Sequence, residues 1–165
     1  MSVADRRAVP ALLQVDSILS HLRGRAALAE VCRFLRAEFV HYPWVGVYRT
    51  VGDELRLEAW DGAEPTEHTR IPIGRGICGR AAREGRTVVV DDVRESPDYL
   101  ACFLSTRSEI VVPVTEAGQV IGEIDIDGTA VKAFDATDRV FLERVAGRIA
   151  PAVLATALEP PPPGA

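Results

Sequence analysis

Lysine is almost missing from this sequence: Lys132 is the only one. Arginine supplies the rest of the 19 basic residues, which face 24 acidic ones for a net charge of −5, and no run of cations stands out. A nucleic-acid backbone demands clustered cations, so no nucleic-acid partner is expected. No stretch approaches the roughly 20 apolar residues of a membrane span, so no membrane partner is expected either. Met1 to Arg7 are not followed by the apolar segment of a secretory signal, and a cytoplasmic protein is expected. Cysteine is scarce as well, with Cys32, Cys78 and Cys102 the only three. An odd count argues against a secreted disulfide framework, and in the cytoplasm these residues start as thiols. His21, His41 and His68 are scattered without metal-ligand spacing, so no metal site is expected. No internal repeat is visible.

What is present suits one globular domain. The 165 residues are 47% apolar and 26% charged, enough for a single core with a short tail left over. Leu12, Val15, Ile18, Leu19 and Leu22 recur at helical spacing, and Leu28, Val31, Cys32, Leu35 and Phe39 mark a second helix, so helices are expected within 11–40. The period then changes. Strands are expected at 44–48 and 55–59 around a Gly52-Asp53 turn, at 69–73, at 88–90, and at 110–115 and 119–127 around Ala117-Gly118. A helix of about eight residues follows Gly79, and 92–107 reads as a long loop. Asp135, with Asp138 three residues on, caps a last helix within 135–158, which Pro151 should kink or stop. The proline-rich residues 159–165 should form a disordered tail beyond a domain at 1–158. Hairpins dominate the connections, which points to an α+β fold: an antiparallel sheet of about six strands over 43–128 with helices on one face.

Gly74-Arg75-Gly76-Ile77-Cys78-Gly79 matches a dinucleotide fingerprint on paper. The following helix is too short to cross a parallel sheet, and no βαβ unit follows, so the glycines are read as structural. Cys78 then sits at a helix start, which should lower its thiol pKa, against the plain alternative of a small residue filling a loop. Cys32 lies on an apolar helix face and reads as core. Cys102 lies among apolar neighbours, where burial is the local reading. In Gly122-Glu123-Ile124-Asp125-Ile126-Asp127 the acids share one strand face, and Val120, Gly122, Ile124 and Ile126 share the other. A solvated acidic face is the common outcome. The sharper one is a carboxylate cluster lining a pocket, with Glu109 brought beside Asp127 by the hairpin, where crowding keeps one acid protonated.

Trp44-Val45-Gly46-Val47-Tyr48, the glycine loop, Ala101-Cys102, Ser108-Glu109-Ile110-Val111-Val112-Pro113 and the acidic strand together resemble GAF-domain free methionine-(R)-sulfoxide reductases, over about residues 27–150. The resemblance implies a single GAF domain with a loop-covered pocket on the sheet face opposite the helices. It implies reduction of free L-methionine (R)-sulfoxide without a cofactor, recycling by thioredoxin or another dithiol, and a homodimer. It places Cys102 at a redox position often assigned as the nucleophile and Cys78 at a second one. Family members differ in which attacks, and both orders stay open. It assigns Glu109, Asp125 and Asp127 to the substrate amine and the sulfoxide oxygen, and Trp44 and Tyr48 to the pocket wall. A third family cysteine is replaced here by His68, and a family acid by Phe103; Gly128 and the loop 95–99 also depart from the usual wording. These departures leave a second reading, a non-catalytic small-molecule-binding or signalling GAF module.

Overall fold

The computed structural model describes residues 3–101 and 103–164; Cys102 lies outside them. The chain runs α1 (Val3–His21), α2 (Gly24–Glu38), β1 (Trp44–Val51), β2 (Glu54–Gly62), β3 (Arg70–Pro72), α3 (Gly76–Glu84), β4 (Val88–Val90), β5 (Ser108–Glu116), β6 (Gln119–Gly128) and α4 (Ala136–Ala155). This is the order of helices and strands expected from the change of hydrophobic period. The strands form one six-stranded sheet in the order β3-β2-β1-β6-β5-β4, and every neighbouring pair is antiparallel. Among the described residues, no helix is long and apolar enough to cross a membrane.

Alternation along the strands splits the interior in two. Val45, Val47, Ile110, Val112, Ile124 and Ile126 face α1, α2 and α4 and build the main core with Leu28, Leu35, Leu142, Val145 and Ile149. The opposite face carries a smaller cluster, in which Tyr48, Leu55, Leu57 and Val111 pack against Ile77, Cys78 and Ala81 of α3. Three helices therefore cover one face, and the short α3 helps to close the other. The hairpin between β5 and β6 turns through Ala117 (φ 50°) and Gly118 (φ 77°), a left-handed pair suited to strand twist. Just beyond the turn, Val114 pairs with Gly122 and Thr115 with Val120, so Ile121 forms a bulge. Val120 was expected beside Ile124; the bulge instead moves it to the smaller cluster and puts Ile121 against the main core.

One helix differs from the expectation, and in another Pro151 does not stop the chain. α1 begins well before the periodic stripe, because residues 6–10 are largely exposed and leave no apolar mark. α4 continues past Pro151 to Ala155. Pro151 and Gly147 both lie on its exposed face, where water can take the carbonyl that proline leaves unpaired. Its start is as read: Asp135 and Asp138 form a reciprocal capping box. After α4 the chain returns to α2, where the Glu159 carboxylate accepts from the backbone N–H of Arg25 and ion-pairs with its guanidinium at 3.1 Å.

The glycine loop is structural, as its short helix implied. Gly74 and Gly76 take φ values of 92° and 67°, and the Gly74 N–H donates to the Gly79 carbonyl at 2.8 Å. A Cβ on Gly79 would fall 2.7 Å from the Pro72 carbonyl oxygen and 2.9 Å from the Gly74 nitrogen, both backbone atoms that cannot swing aside. Gly79→Ala should therefore cost about 1–3 kcal/mol of unfolding free energy. Gly147→Ala on the open face of α4, where a Cβ meets nothing within 4 Å, should gain about 0.5–1 kcal/mol through helix propensity. Urea unfolding of the two variants checks the pair; equal stability of both would contradict the packing described.

Candidate functional site

The sheet assembles the site by register. β1 and β6 pair Trp44 with Asp127, Gly46 with Asp125 and Tyr48 with Glu123. β5 and β6 pair Glu109 with Asp127 and Val111 with Asp125. Glu109, Glu123, Asp125 and Asp127 thus share the face opposite the helical core, and they retain only 3, 0, 1 and 3% exposure. The common outcome of a solvated acidic face is overturned, because α3 and the loop before β5 cover it. α3 lays Cys78 over the acids, and its thiol donates to the Glu109 carboxyl with Sγ···Oε1 at 3.8 Å.

The electrostatics of this cluster are unusual within the molecule. Glu58 is about as buried, at 4%, but accepts from Arg25 at 2.7 Å and from Arg49 at 2.8 Å. No described ion pair reaches Glu109, Glu123, Asp125 or Asp127. The carboxyl oxygens of Glu123, Asp125 and Asp127 are buried without a hydrogen bond of good geometry. Burial pushes Glu109 well above the ordinary carboxylate range, and the neighbouring charges of Asp125 and Asp127 add to it. Burial and then Asp125 push up Glu123 and Asp127 in the same direction. Asp125 is raised by burial too, but contacts from Glu109 and Cys78 favour its charged form. It is therefore the group best suited to carry the negative charge while its neighbours hold protons.

Cys78 corrects an expectation. The helix start was expected to lower its pKa, yet the thiol is pushed well above its ordinary value by burial, followed by Asp125, Glu123 and Glu109. A helix terminus contributes about 0.3–1 kcal/mol, whereas full burial alone shifts a group by up to about 3–5 pKa units, so the terminus loses. Cys78 is a thiol at rest. Cys32, as read from its helix face, is buried in the core, and burial raises it. Cys102 lies outside the described residues.

Asp127 and Trp44 line a cavity of about 140 Å³ together with Phe103, Glu64 and Thr129. This is below the roughly 300 Å³ at which pockets for drug-sized ligands begin, and it suits a molecule of amino-acid size rather than a nucleotide. The Trp44 indole lies directly on the backbone of Gly46 and Gly62, where a Cβ would come within 2.5 Å and 2.2 Å of the ring. Phe103 tilts against it with centroids 5.6 Å apart. The Tyr48 hydroxyl donates to the His68 carbonyl at 2.8 Å, and the His68 ring bonds to the Ala101 carbonyl through Nε2 at 3.0 Å. His68 thus ties the strand-side wall to the residue preceding Cys102. A larger cavity, about 390 Å³, lies elsewhere, between Phe39, Tyr42 and Phe141. Both of its acids are satisfied: Asp138 accepts from Tyr42 at 2.6 Å and contacts His41 at 2.7 Å, and Asp135 accepts from the backbone N–H groups of Thr137 and Asp138.

Glu123 was placed on the acidic face by alternation, but the family resemblance carried no role to it. Its burial and its position beside Cys78 add it to the cluster. Cys78, Glu109 and Asp125 also each bring one ligand-type atom within 4.8 Å of the others, a spacing compatible with a metal ion.

Raised carboxyl pKa values have a signed consequence for stability. Between the unfolded and the folded pKa the folded chain binds more protons, so stability falls as pH rises through that window. The unfolding free energy should fall from about pH 5 upward by up to about 1.4 kcal/mol per pH unit for each proton held. Glu123→Gln should flatten the slope by one such proton. Denaturant melts at several pH values check this; a wild-type protein more stable at pH 8 than at pH 5 would contradict the buried-acid assignment.

A sequence model described as the GAF domain matches residues 24–153. GAF domain-containing protein A of Dictyostelium discoideum is 35% identical over 136 residues, 81% of this chain and 84% of that protein. The free methionine-R-sulfoxide reductase of Escherichia coli K12 is 33% identical over 124 residues, 75% of this chain and 74% of that enzyme. The structure of free methionine-R-sulfoxide reductase from Neisseria meningitidis in complex with its substrate superposes with a TM-score of 0.86 at 37% identity, covering 96% of this chain and 95% of that one. The match to the family model spans the whole sheet with its acidic strand, α2, α3 and nearly all of α4, so this chain belongs to the GAF domain family and resembles its free methionine-R-sulfoxide reductases.

Proposed function

We propose that this protein reduces free L-methionine (R)-sulfoxide to methionine. The observation that carries the reading is the set of buried acids beside Cys78, in no described ion pair, with Asp127 at their edge lining a cavity of amino-acid size. A substrate ammonium supplies the missing cation, with Asp125 and Asp127 as its partners, while Trp44 and Tyr48 wall the apolar part. The Cys102 thiolate attacks the sulfoxide sulfur, and a protonated acid of the cluster, Glu109 foremost, gives its proton to the oxygen. Oxygen passes to Cys102 as a sulfenic acid, and methionine leaves. Cys78 then attacks the sulfenic sulfur, forming a disulfide and releasing water. The Glu109 carboxylate left by the first step takes the Cys78 proton across their 3.8 Å contact and passes it to the departing hydroxyl, which leaves as water. This order suits a Cys78 that is un-ionised at rest and makes it the resolving thiol.

An external dithiol, thioredoxin or an equivalent, reopens the disulfide by exchange and is itself oxidised. No cofactor enters the cycle. The reading includes a homodimer, supported by the exposed Val9 and Leu13 of α1 and Val140 and Leu154 of α4, and a reducing cytoplasm, which keeps the thiols available. The second reading, a binding module without turnover, draws on Phe103, which packs against Trp44 at the pocket wall.

An assay of both sulfoxide epimers with a dithiol separates the two readings. The R epimer should be consumed and the S epimer spared; consumption of neither leaves the binding module. Cys102→Ser should abolish turnover, whereas Cys32→Ser should retain it. Full activity in the Cys102 variant would transfer the nucleophile to Cys78.

Asp127→Asn should lower kcat/KM by about 10²–10³-fold through loss of the charged contact to the ammonium. Its melting temperature near neutral pH should hold or rise, since one buried acid is removed. A parallel loss of folding and activity would make Asp127 structural instead.

A further inference from the structure

The cluster also has the donor spacing of a cation site. Cys78, Glu109 and Asp125 each offer one ligand atom, all within 4.8 Å of one another, and all three side chains are buried. Both oxygens of Asp125 are buried and accept no hydrogen bond of good geometry, as are both oxygens of Glu123 on the same strand face. A separate void of about 10 Å³ lies against Cys78 and Glu109, walled by Ile71, Ile77 and Leu100. That volume matches about one water-sized sphere, which admits a single ion and excludes an amino acid. Arg75 also lines the void, yet it takes part in none of the described ion pairs, so its guanidinium does not already serve as the counter-cation.

We propose that Cys78, Glu109 and Asp125 form a binding site for a divalent transition-metal ion of the zinc type. The donor set decides the class. Magnesium and calcium take oxygen ligands alone, whereas a thiolate beside carboxylates selects zinc and its neighbours. Tetrahedral bonds of about 2.0–2.3 Å place ligand atoms roughly 3.3–3.7 Å apart. The Cys78 sulfur and the Glu109 oxygen stand at 3.8 Å, so the set needs to contract by no more than about an ångström. Glu123 or a water completes the coordination. The ion replaces protons: the Cys78 thiol and the protonated carboxyls that become ligands lose theirs to solvent, and nothing is oxidised or reduced. Because these side chains also serve the proposed reduction, ion and turnover exclude one another. Binding of the ion does not depend on the reductase reading.

Cobalt(II) titration of the full reduced chain, with a non-chelating phosphine as reductant, tests the site. One cobalt per chain should bind with a sulfur-to-cobalt charge-transfer band that zinc abolishes by displacement. Cys32→Ser and Cys102→Ser should keep the band, Cys78→Ser should lose it, and Asp125→Asn should weaken binding by about tenfold or more. Absence of the band in the wild-type protein, or its survival in Cys78→Ser, overturns the proposal. Where Cys78→Ser does not fold, X-ray absorption at the zinc edge of the zinc-loaded wild-type chain decides. One sulfur with the remaining ligands oxygen supports the site; no sulfur, or two or more, refutes it.

Discussion

Carboxyl groups pressed together out of water set the terms for the rest of this structure. Ionising a carboxyl in such a place costs several kcal/mol unless a cation meets it, and among the described residues none does. The chain shows the alternative on β2. Glu58 is equally withdrawn, but Arg25 and Arg49 bracket it. At Glu109, Glu123, Asp125 and Asp127 the charge is instead limited by proton retention, with Asp125 the member whose charged form is most favoured. Such an arrangement persists only because the opposite face of the same strands is packed into the main core. That apolar face fixes the register, and the register delivers the acids to the other side whether or not they are comfortable there.

Chemistry follows from this confinement. A thiol beside buried acids is not a resting nucleophile, which separates the duties of Cys78 from those proposed for Cys102. In the proposed reduction, a proton held by the cluster serves the departing oxygen, and the carboxylate left behind accepts one from Cys78. The same excess of unpaired acceptors is the ground for proposing a cationic guest. A substrate ammonium and a metal ion are two ways of satisfying it.

Much of the fold was legible because the hydrophobic period changes cleanly from helix to strand, and the Ala117-Gly118 turn sets the pairing that brings Glu109 opposite Asp127. The first half of α1 was not legible, since an exposed helical turn carries no apolar stripe. The last helix was expected over 135–158 with a kink or stop at Pro151, and it runs on because Pro151 lies on the face that meets water. Within the site, alternation put Glu123, Asp125 and Asp127 on one face but could not say whether that face was wet. Its cover comes from α3 and a loop distant in sequence. The pKa of Cys78 was misjudged for the same reason: its helix start is local and visible, while the acids that outweigh it arrive from β5 and β6.

The central claim is that the buried cluster keeps protons at neutral pH. Infrared absorption of the chelator-treated protein in heavy water reads this directly, because a neutral carboxyl has a carbonyl stretch distinct from the bands of a carboxylate. The account predicts a neutral-carboxyl band at pH 7 that diminishes in Glu109→Gln and Asp127→Asn. A wild-type spectrum at pH 7 with carboxylate bands alone would contradict it.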